Sequence, residues 1–308
     1  MENNIDLIEK HKEILLERFR HEQEINGCYE EWYSDLDQFR DSLKRFYTCK
    51  FGEQMYRMDN PEFVLPTGDH IDHHIIGYLA PLDFKRIGWN GILRSPDEQI
   101  VMLNNFLKKR GTRFIYVALP CKEVIYPQLI ADEALLHGKT IIVPQWRYML
   151  SKIVEKNVEV VDMLPAMKEK GEDIFAKTHY ISHKGAKIIS QAIKEYLEKT
   201  TKGLYNNKEY SEIGIFGNCN LQAYLDEKKG ILANLILDME YPISYIGRYL
   251  PFCCIDTMTE SAIKELLKYK IVIYVGFPSA SFVRTSAYWD RSDAIENRWW
   301  SSIDLDKL

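Results

Sequence analysis

A chain of 308 residues, 46% hydrophobic and 12% aromatic, is long enough to bury a substantial core as one large domain, or one domain with an elaboration. Its formal charge of -5 and pI near 6.0 give no basic footprint for nucleic acid, and no stretch approaches the roughly 18 apolar residues of a membrane span. Six cysteines (28, 49, 121, 219, 253 and 254) are too scattered for a disulfide framework, and none has a zinc-type spacing. The start, Met1 to Asp6, is acidic and lacks an apolar signal core, so the expectation is a cytoplasmic protein with free thiols and no cofactor.

Residues 1–60 read as an N-terminal helical extension and 61–308 as the main domain. Ile5, Leu7, Ile8, Ile14, Leu15 and Leu16 lie among Glu, Lys and Arg, the pattern of an amphipathic helix. A second helix is predicted from about Tyr29 to Tyr47, carrying Trp32, Leu36, Phe39, Leu43 and Phe46. These helices either cap the main domain or form a homodimer contact. From Asn60 to Ser95 the chain is rich in Pro, Gly and His without a clean period. His70, His73 and His74, with Asp69 and Asp72, are the residue types that ligate metals. However, the His-Glu-x-x-His arrangement is absent, and strand alternation would send His73 to the face opposite Asp72 and His74. A polar strand or pocket-lining loop accounts for them as well. Gly88-Trp89-Asn90-Gly91 reads as a simple turn, with presentation of Asn90 as a hydrogen-bond donor the alternative.

A regular alternation begins at Ser95. Ser95 to Glu98 is a capping box with Pro96 at the first helical position, and the helix it opens stops at Gly111. Arg113 to Pro120 is apolar enough for a central parallel strand covered on both faces. Shorter strands are predicted at Thr140–Pro144 and Val158–Met163, with a helix from Arg147 to Lys156 between them. A helix opens at Ser182 or His183 and faces inward through Ile189, Ala192, Ile193, Tyr196 and Leu197. A strand at 212–217 leads into a helix through Leu221, Tyr224 and Leu225, and another helix runs through Leu232, Leu235 and Ile236. A weak strand at Pro242–Ile246, a capping box at Thr257 to Glu260 with its helix, and a strand at Lys270–Gly276 complete the series. Strands and helices alternating in this way predict a parallel α/β sheet, whose ligands bind beyond the carboxyl ends of the strands.

Two stretches on that edge carry chemistry. In Gly217-Asn218-Cys219-Asn220, a strand turns into a helix with Cys219 at the helix start, where unpaired N–H groups and the helix dipole favour the thiolate. The alternative is a small buried cysteine beside a turn glycine. In Phe175 to Ala186, His179 and His183 enter the next helix; a cysteine nucleophile needs an imidazole base within hydrogen-bond reach. Taken singly, each histidine reads rather as a capping or surface residue.

The order of these segments resembles the SGNH-hydrolase-like domain of the alginate O-acetyltransferase accessory proteins, over roughly Ser95 to Arg284. Pro120-Cys121-Lys122-Glu123-Val124-Ile125-Tyr126-Pro127 is similar to that family's "vPxKexxYP" segment. Val160-Val161-Asp162 followed by Thr178-His179-Tyr180 is similar to its Asp-x-His-Trp block, which carries acid and base, and Gly217-Asn218-Cys219 to its Gly-Asp-Ser block. The Gly-Asn-Cys turn also resembles the Gly-Asn-Cys-Gln motif of capsule-biosynthesis acetyltransferase-like proteins. Departures are explicit. Cysteine stands for the serine, Asn218 for the aspartate, and Lys177 two residues before the histidine where the family has an acid. Alignment without a gap would put Tyr180 at the base position, and Asp173 is the alternative acid.

What the resemblance implies is a three-layer SGNH/flavodoxin-like sheet in circularly permuted order, and acyl transfer to, or ester hydrolysis from, a glycan or small hydroxylated molecule. Cys219 and His179 would form the catalytic pair, and Asn218 or Asn220 would join the oxyanion site. Lys122, Tyr126, His183 and Arg284 would line the substrate pocket. The aromatic tail (Tyr288, Trp289, Trp299 and Trp300) would either hold an extended substrate or strap the core. The other reading is a catalytically degenerate binding or scaffold protein in a polysaccharide-modifying pathway.

Overall fold

The computed structural model describes residues 4–26, 50–51, 55–57, 64–66, 96–120, 122–125, 145–171, 173–175, 181–201, 211–217, 221, 231–238, 242–246 and 260–276. The chain begins with α1 (Asn4–Asn26), followed by three short antiparallel strands, β1 (Lys50–Phe51), β2 (Met55–Arg57) and β3 (Val64–Pro66). This small meander crosses residue 60 and has no counterpart in the sequence reading. The second N-terminal helix, the histidines at 70, 73 and 74, the turn at Asn90 and the strand at 140–144 lie outside the described residues.

The main domain follows the alternation read from the sequence. Its elements are α2 (Pro96–Lys109), β4 (Arg113–Ala118), α3 (Lys122–Ile125), α4 (Gln145–Glu155), β5 (Glu159–Asp162), α5 (Leu164–Glu169) and α6 (His183–Thr200). After these come β6 (Ile213–Gly217), α7 (Ile231–Asp238), β7 (Ile243–Tyr245), α8 (Glu260–Leu266) and β8 (Ile271–Gly276). Glycine stops α2 as expected. Gly111 adopts φ +82°, its N–H bonds the Lys108 carbonyl at 3.1 Å, and Thr112 N–H bonds Leu107 at 3.0 Å, closing a Schellman turn. Asn157 ends α4 in the same way at φ 62°.

Five strands pair side by side in the order β5-β4-β8-β6-β7, every pairing parallel. Counted cyclically along the chain from β6, this order is 2-1-3-4-5, the flavodoxin-like doubly wound order. β8 lies at the centre and all six of its residues are buried. A register row of Phe216, Tyr274 and Tyr116 runs across β6, β8 and β4, with ring centroids 4.8 and 5.6 Å apart. Helix α2 packs on α4 and α6 packs on α7, so helices cover the sheet in two layers.

Helix α1 packs against α4, α6 and β5, the strand at one edge of the sheet. Its inward face carries the apolar stripe, with Leu7, Ile8, Leu15, Leu16 and Phe19 buried or half-buried. Ile5 and Ile14 are 65% and 51% exposed, while Leu15 and Phe19 join the core. His11, Arg18 and Glu22 share that inward side at helical spacing. His11 Nε2 donates to the Val160 carbonyl at 2.9 Å, satisfying an acceptor on a strand that has no neighbour on that side among the described residues. Of the two roles read for the N-terminal helices, capping is the one α1 fills.

Burial lowers the His11 pKa, Arg18 lowers it further, and the Val160 hydrogen bond only partly opposes them. Because the folded value lies below the unfolded one, the unfolded chain takes up this proton first as pH falls. The associated stability is therefore complete above about pH 6.5 and is lost progressively below it. Glu159 and Asp162 also face the ring. Asp162 is itself held below the ordinary carboxylate range, its burial outweighed by Arg147 and Arg18, and so titrates at far lower pH. Thermal unfolding followed from about pH 7.5 to 5.5 should show the melting temperature falling, with a shallower fall in His11→Gln. Equal slopes in both proteins would contradict the assignment.

Candidate functional site

Because all five strands of the main sheet are parallel, their carboxyl ends share one edge, and in this order the crevice opens at the switch point between β6 and β8. Gly217 is the last residue of β6 and pairs with Val275 of β8 there. A Cβ at Gly217 would collide with the Val275 carbonyl oxygen and crowd Leu221 at 3.3 Å, so only glycine fits this closely approached turn. The chain then enters residues 218–220 and re-emerges at Leu221, which is helical and fully buried. Cys219, Asn218 and Asn220 lie outside the described residues.

On the other side of β8, β4 ends level with it. Ala118 pairs with Gly276, and the Leu119 N–H donates to the Gly276 carbonyl at 3.0 Å. With one strand between them, β4 and β6 are about 10 Å apart at the usual spacing. One helical turn, α3, follows β4 and opens at Lys122, anchored by buried Val124 and Ile125. This places the Lys122 backbone on the predicted edge. Tyr126 and Arg284, like the aromatic tail, lie outside the described residues.

The histidine-bearing loop is defined by its base. Phe175 and Ile181 form an antiparallel bridge, Ser182 N–H donates to the Ile174 carbonyl at 2.9 Å, and the Ser182 hydroxyl bonds the Asp173 carbonyl. Ser182 is also the N-cap of α6, accepting from Gly185 N–H at 3.1 Å. Gly185 presses against the Ile174 carbonyl so closely that a Cβ there would clash. His179 belongs to residues 176–180, the stretch these contacts bracket, which lies outside the described residues. His183 is the first residue of α6 and is exposed. Asp173 is exposed, with φ 67°.

The direction of α6 fixes which edge this loop belongs to. At its carboxyl end, Thr200 Oγ1 accepts from Arg113 Nη2 at 2.8 Å, and Arg113 is the first residue of β4. That is the amino edge of the sheet. An 18-residue helix spans about 27 Å, so Ser182 and the loop base stand at the opposite, carboxyl edge. Ser190, midway along α6, hydrogen-bonds the Ile231 carbonyl at the start of α7 at 2.8 Å, tying α6 to a helix between β6 and β7.

Asp162, read as part of the acid-and-base block, has another task. Its Oδ1 accepts from Arg147 Nη1 at 2.7 Å and Leu164 N–H at 3.2 Å. Its Oδ2 accepts from Arg147 Nη2 at 2.7 Å and Arg18 Nη1 at 3.2 Å. With four donors on a fully buried carboxylate, no lone pair is left to orient a histidine. Arg147 also makes a two-point contact with Glu22, at 2.7 Å to each oxygen, and stacks over Phe19 at 4.7 Å. Burial alone would lower its pKa, but Asp162 and Glu22 outweigh that and raise it, so the group stays charged. Sequence reasoning missed Arg147. The signal was present, since Arg147, Leu150, Ile153 and Val154 share one helix face and an arginine on such a stripe needs buried acids.

The fold and edge geometry define a doubly wound α/β domain with its crevice at the β6/β8 switch. Residues 90–215 match the family model described as "SGNH hydrolase-like domain, acetyltransferase AlgX". That match takes in Lys122, Tyr126, His179 and His183 and stops four residues before Cys219. In three dimensions the chain is similar to the O-acetyltransferase domain of Pseudomonas putida AlgJ. The identity is 9% and the TM-score 0.51, over 79% of this chain and 98% of that one. It is also similar to Pseudomonas aeruginosa AlgX (13% identity, TM-score 0.49, 75% of this chain and 64% of that one). A third similar structure is Bacillus cereus PatB1 with a sulfonyl adduct (10% identity, TM-score 0.43, 77% and 99%). No curated protein matches the sequence. The resemblance read from the motifs and the α/β fold class are thus found independently.

Gly217→Ala should destabilise the protein by about 2–3 kcal/mol in urea unfolding, because the rigid β6–β8 pairing leaves the new methyl nowhere to go. A loss below about 0.5 kcal/mol would mean that the two strand ends separate readily.

Proposed function

We propose that the protein is an SGNH-like acyl-ester enzyme, an O-acyltransferase or esterase acting on a glycan or small hydroxylated substrate through Cys219 and His179. The observation that carries this reading is Gly217, the glycine-only end of β6 at the switch point, immediately before Asn218-Cys219. The cyclic strand order supports a circularly permuted SGNH-type domain in which β6 is the nucleophile strand. The base of the 176–180 loop on the same edge supports His179 as the partner. The AlgX family match and the fold shared with the AlgJ O-acetyltransferase domain favour acyl transfer to a carbohydrate hydroxyl over other chemistry of this fold.

In this mechanism His179 takes the Cys219 thiol proton and the thiolate attacks the acyl carbon, opening the carbonyl to an oxyanion. The Cys219 N–H, with Asn218 or Asn220, stabilises that charge. Collapse breaks the bond to the leaving alkoxide, which receives the proton from His179, and leaves a thioester on Cys219. An acceptor hydroxyl or water then gives its proton to His179 and attacks the thioester, releasing the ester or acid and restoring the thiol. Lys122, Tyr126, His183 and Arg284 would hold the substrate. A thiol ionises more readily than a serine hydroxyl, so a two-membered site is chemically sufficient, and Asp173 is the candidate for a third member.

The second reading, a binding or scaffold partner without catalysis, is favoured by Lys177 where the family carries an acid. Iodoacetamide labelling separates the two. On the catalytic reading Cys219 reacts at least about tenfold faster than each of the other thiols, and His179→Ala slows it to their range. Equal rates at all six cysteines would leave the scaffold reading standing.

A further inference from the structure

We infer that Arg18, Glu22, Arg147 and Asp162 form a positioning device that couples docking of α1 to the order of the carboxyl edge. The inference rests on the proposed function only for what that edge does. Two cations and two anions meet in one cluster, and Lys168 of α5 also faces Glu22. Asp162 and Arg147 side chains are 0% and 3% exposed, Glu22 18% and Arg18 35%. Helix α1 brings one charge of each sign, so losing either Arg18 or Glu22 alone shifts the cluster by one charge. Removing one charge from it leaves an uncompensated ion in the interior, an arrangement far costlier than a complete network.

The coupling reaches the edge through Asp162. This residue ends β5, and the same Oδ1 that holds Arg147 accepts the Leu164 N–H, fixing the first turn of α5. Met163 N–H donates to the Ala118 carbonyl at 3.2 Å, joining the ends of β5 and β4. Helix α5 packs against α3, which opens at Lys122, and against α6, which opens just after the loop base at Ile174–Ser182. Both segments that flank the edge thus lean on α5, and α5 leans on a carboxylate held by α1. Arg147 and Asp162 touch no reacting group in this scheme. They act by placing α3, α5 and the start of α6.

Hydrogen exchange on the full chain tests this. Glu22→Gln should accelerate amide exchange about tenfold in 122–125, 164–169 and 181–185, with β6 and β8 unchanged. Acceleration confined to α1 and α4 would overturn the proposal. If Glu22→Gln does not fold, the milder Arg18→Lys takes its place with the same two outcomes. Turnover of an activated acetyl ester gives a second arm. kcat should fall at least about tenfold in Glu22→Gln with KM within about twofold, and Glu22→Asp should recover part of it. Unchanged kcat in a variant whose edge exchanges faster would also overturn the proposal. A wild-type protein without turnover would count against the proposed enzyme alone, because the exchange arm needs no activity.

Discussion

A guanidinium inside a protein dictates its surroundings, and much of this architecture follows from where Arg147 lies. Desolvation penalises its charge, yet the group does not release its proton, so carboxylates must come to it. One arrives from the end of β5 and one from the N-terminal helix more than a hundred residues earlier. The two-point geometry on both sides orients as well as neutralises, which a lysine at the same place would not do. The result is a helix locked at a defined angle along the open side of a sheet. Among the described residues β5 has no strand beyond it on that side, and His11 hydrogen-bonds its Val160 carbonyl.

The central strands were legible because β4 and β8 are apolar on both faces, a pattern that only a doubly covered parallel strand explains. Helix ends were legible where a single residue type does the work, as with Gly111 closing α2 and Ser182 capping α6. The α5 helix was read as loop. It has six residues, starts with Leu164-Pro165, and owes its first turn to a carboxylate from the preceding strand, so its cause is tertiary rather than local. The amphipathic pattern of α1 was legible, since Leu7, Ile8, Leu15 and Leu16 face inward. Periodicity counts apolar residues, however, and does not show that His11, Arg18 and Glu22 on the same side find partners on α4 and β5.

The candidate site was legible in position more than in membership. Gly217 could be singled out because a glycine at the end of an apolar strand needs a reason, and the approach of Val275 supplies it. Asp162 illustrates the converse. An aspartate after a Val-Val strand begins the stretch that resembles the family's acid-and-base block, but sequence does not say which cation will claim it. Arg147 lies fifteen residues earlier and takes both oxygens. That carboxylate therefore serves placement, through Arg147, Arg18 and the Leu164 N–H.

The two ends of the sheet divide the labour. At the amino edge, Arg113 and Glu159 face each other across β4 and β5 in a multipoint pair, and Tyr196 donates to the same carboxylate at 3.0 Å. Arg113 also reaches Thr200, so one cluster fastens two strands and the end of α6. Burial, then Glu159, holds the Tyr196 hydroxyl well above its ordinary pKa, which keeps it a donor throughout the usual pH range. With α6 pinned at that end, its other end is free to answer to local contacts, namely the Phe175–Ile181 bridge and the packing of α5. A rigid amino edge with a carboxyl edge made of short, separately anchored segments is what a site built from strand-end loops requires. The sheet and its amino-edge cluster supply the fixed frame, and the segments on it can vary without unmaking the core. In this chain the N-terminal helix is an added constraint on that second edge, since its charges are among those that keep Asp162, and so α5, in place.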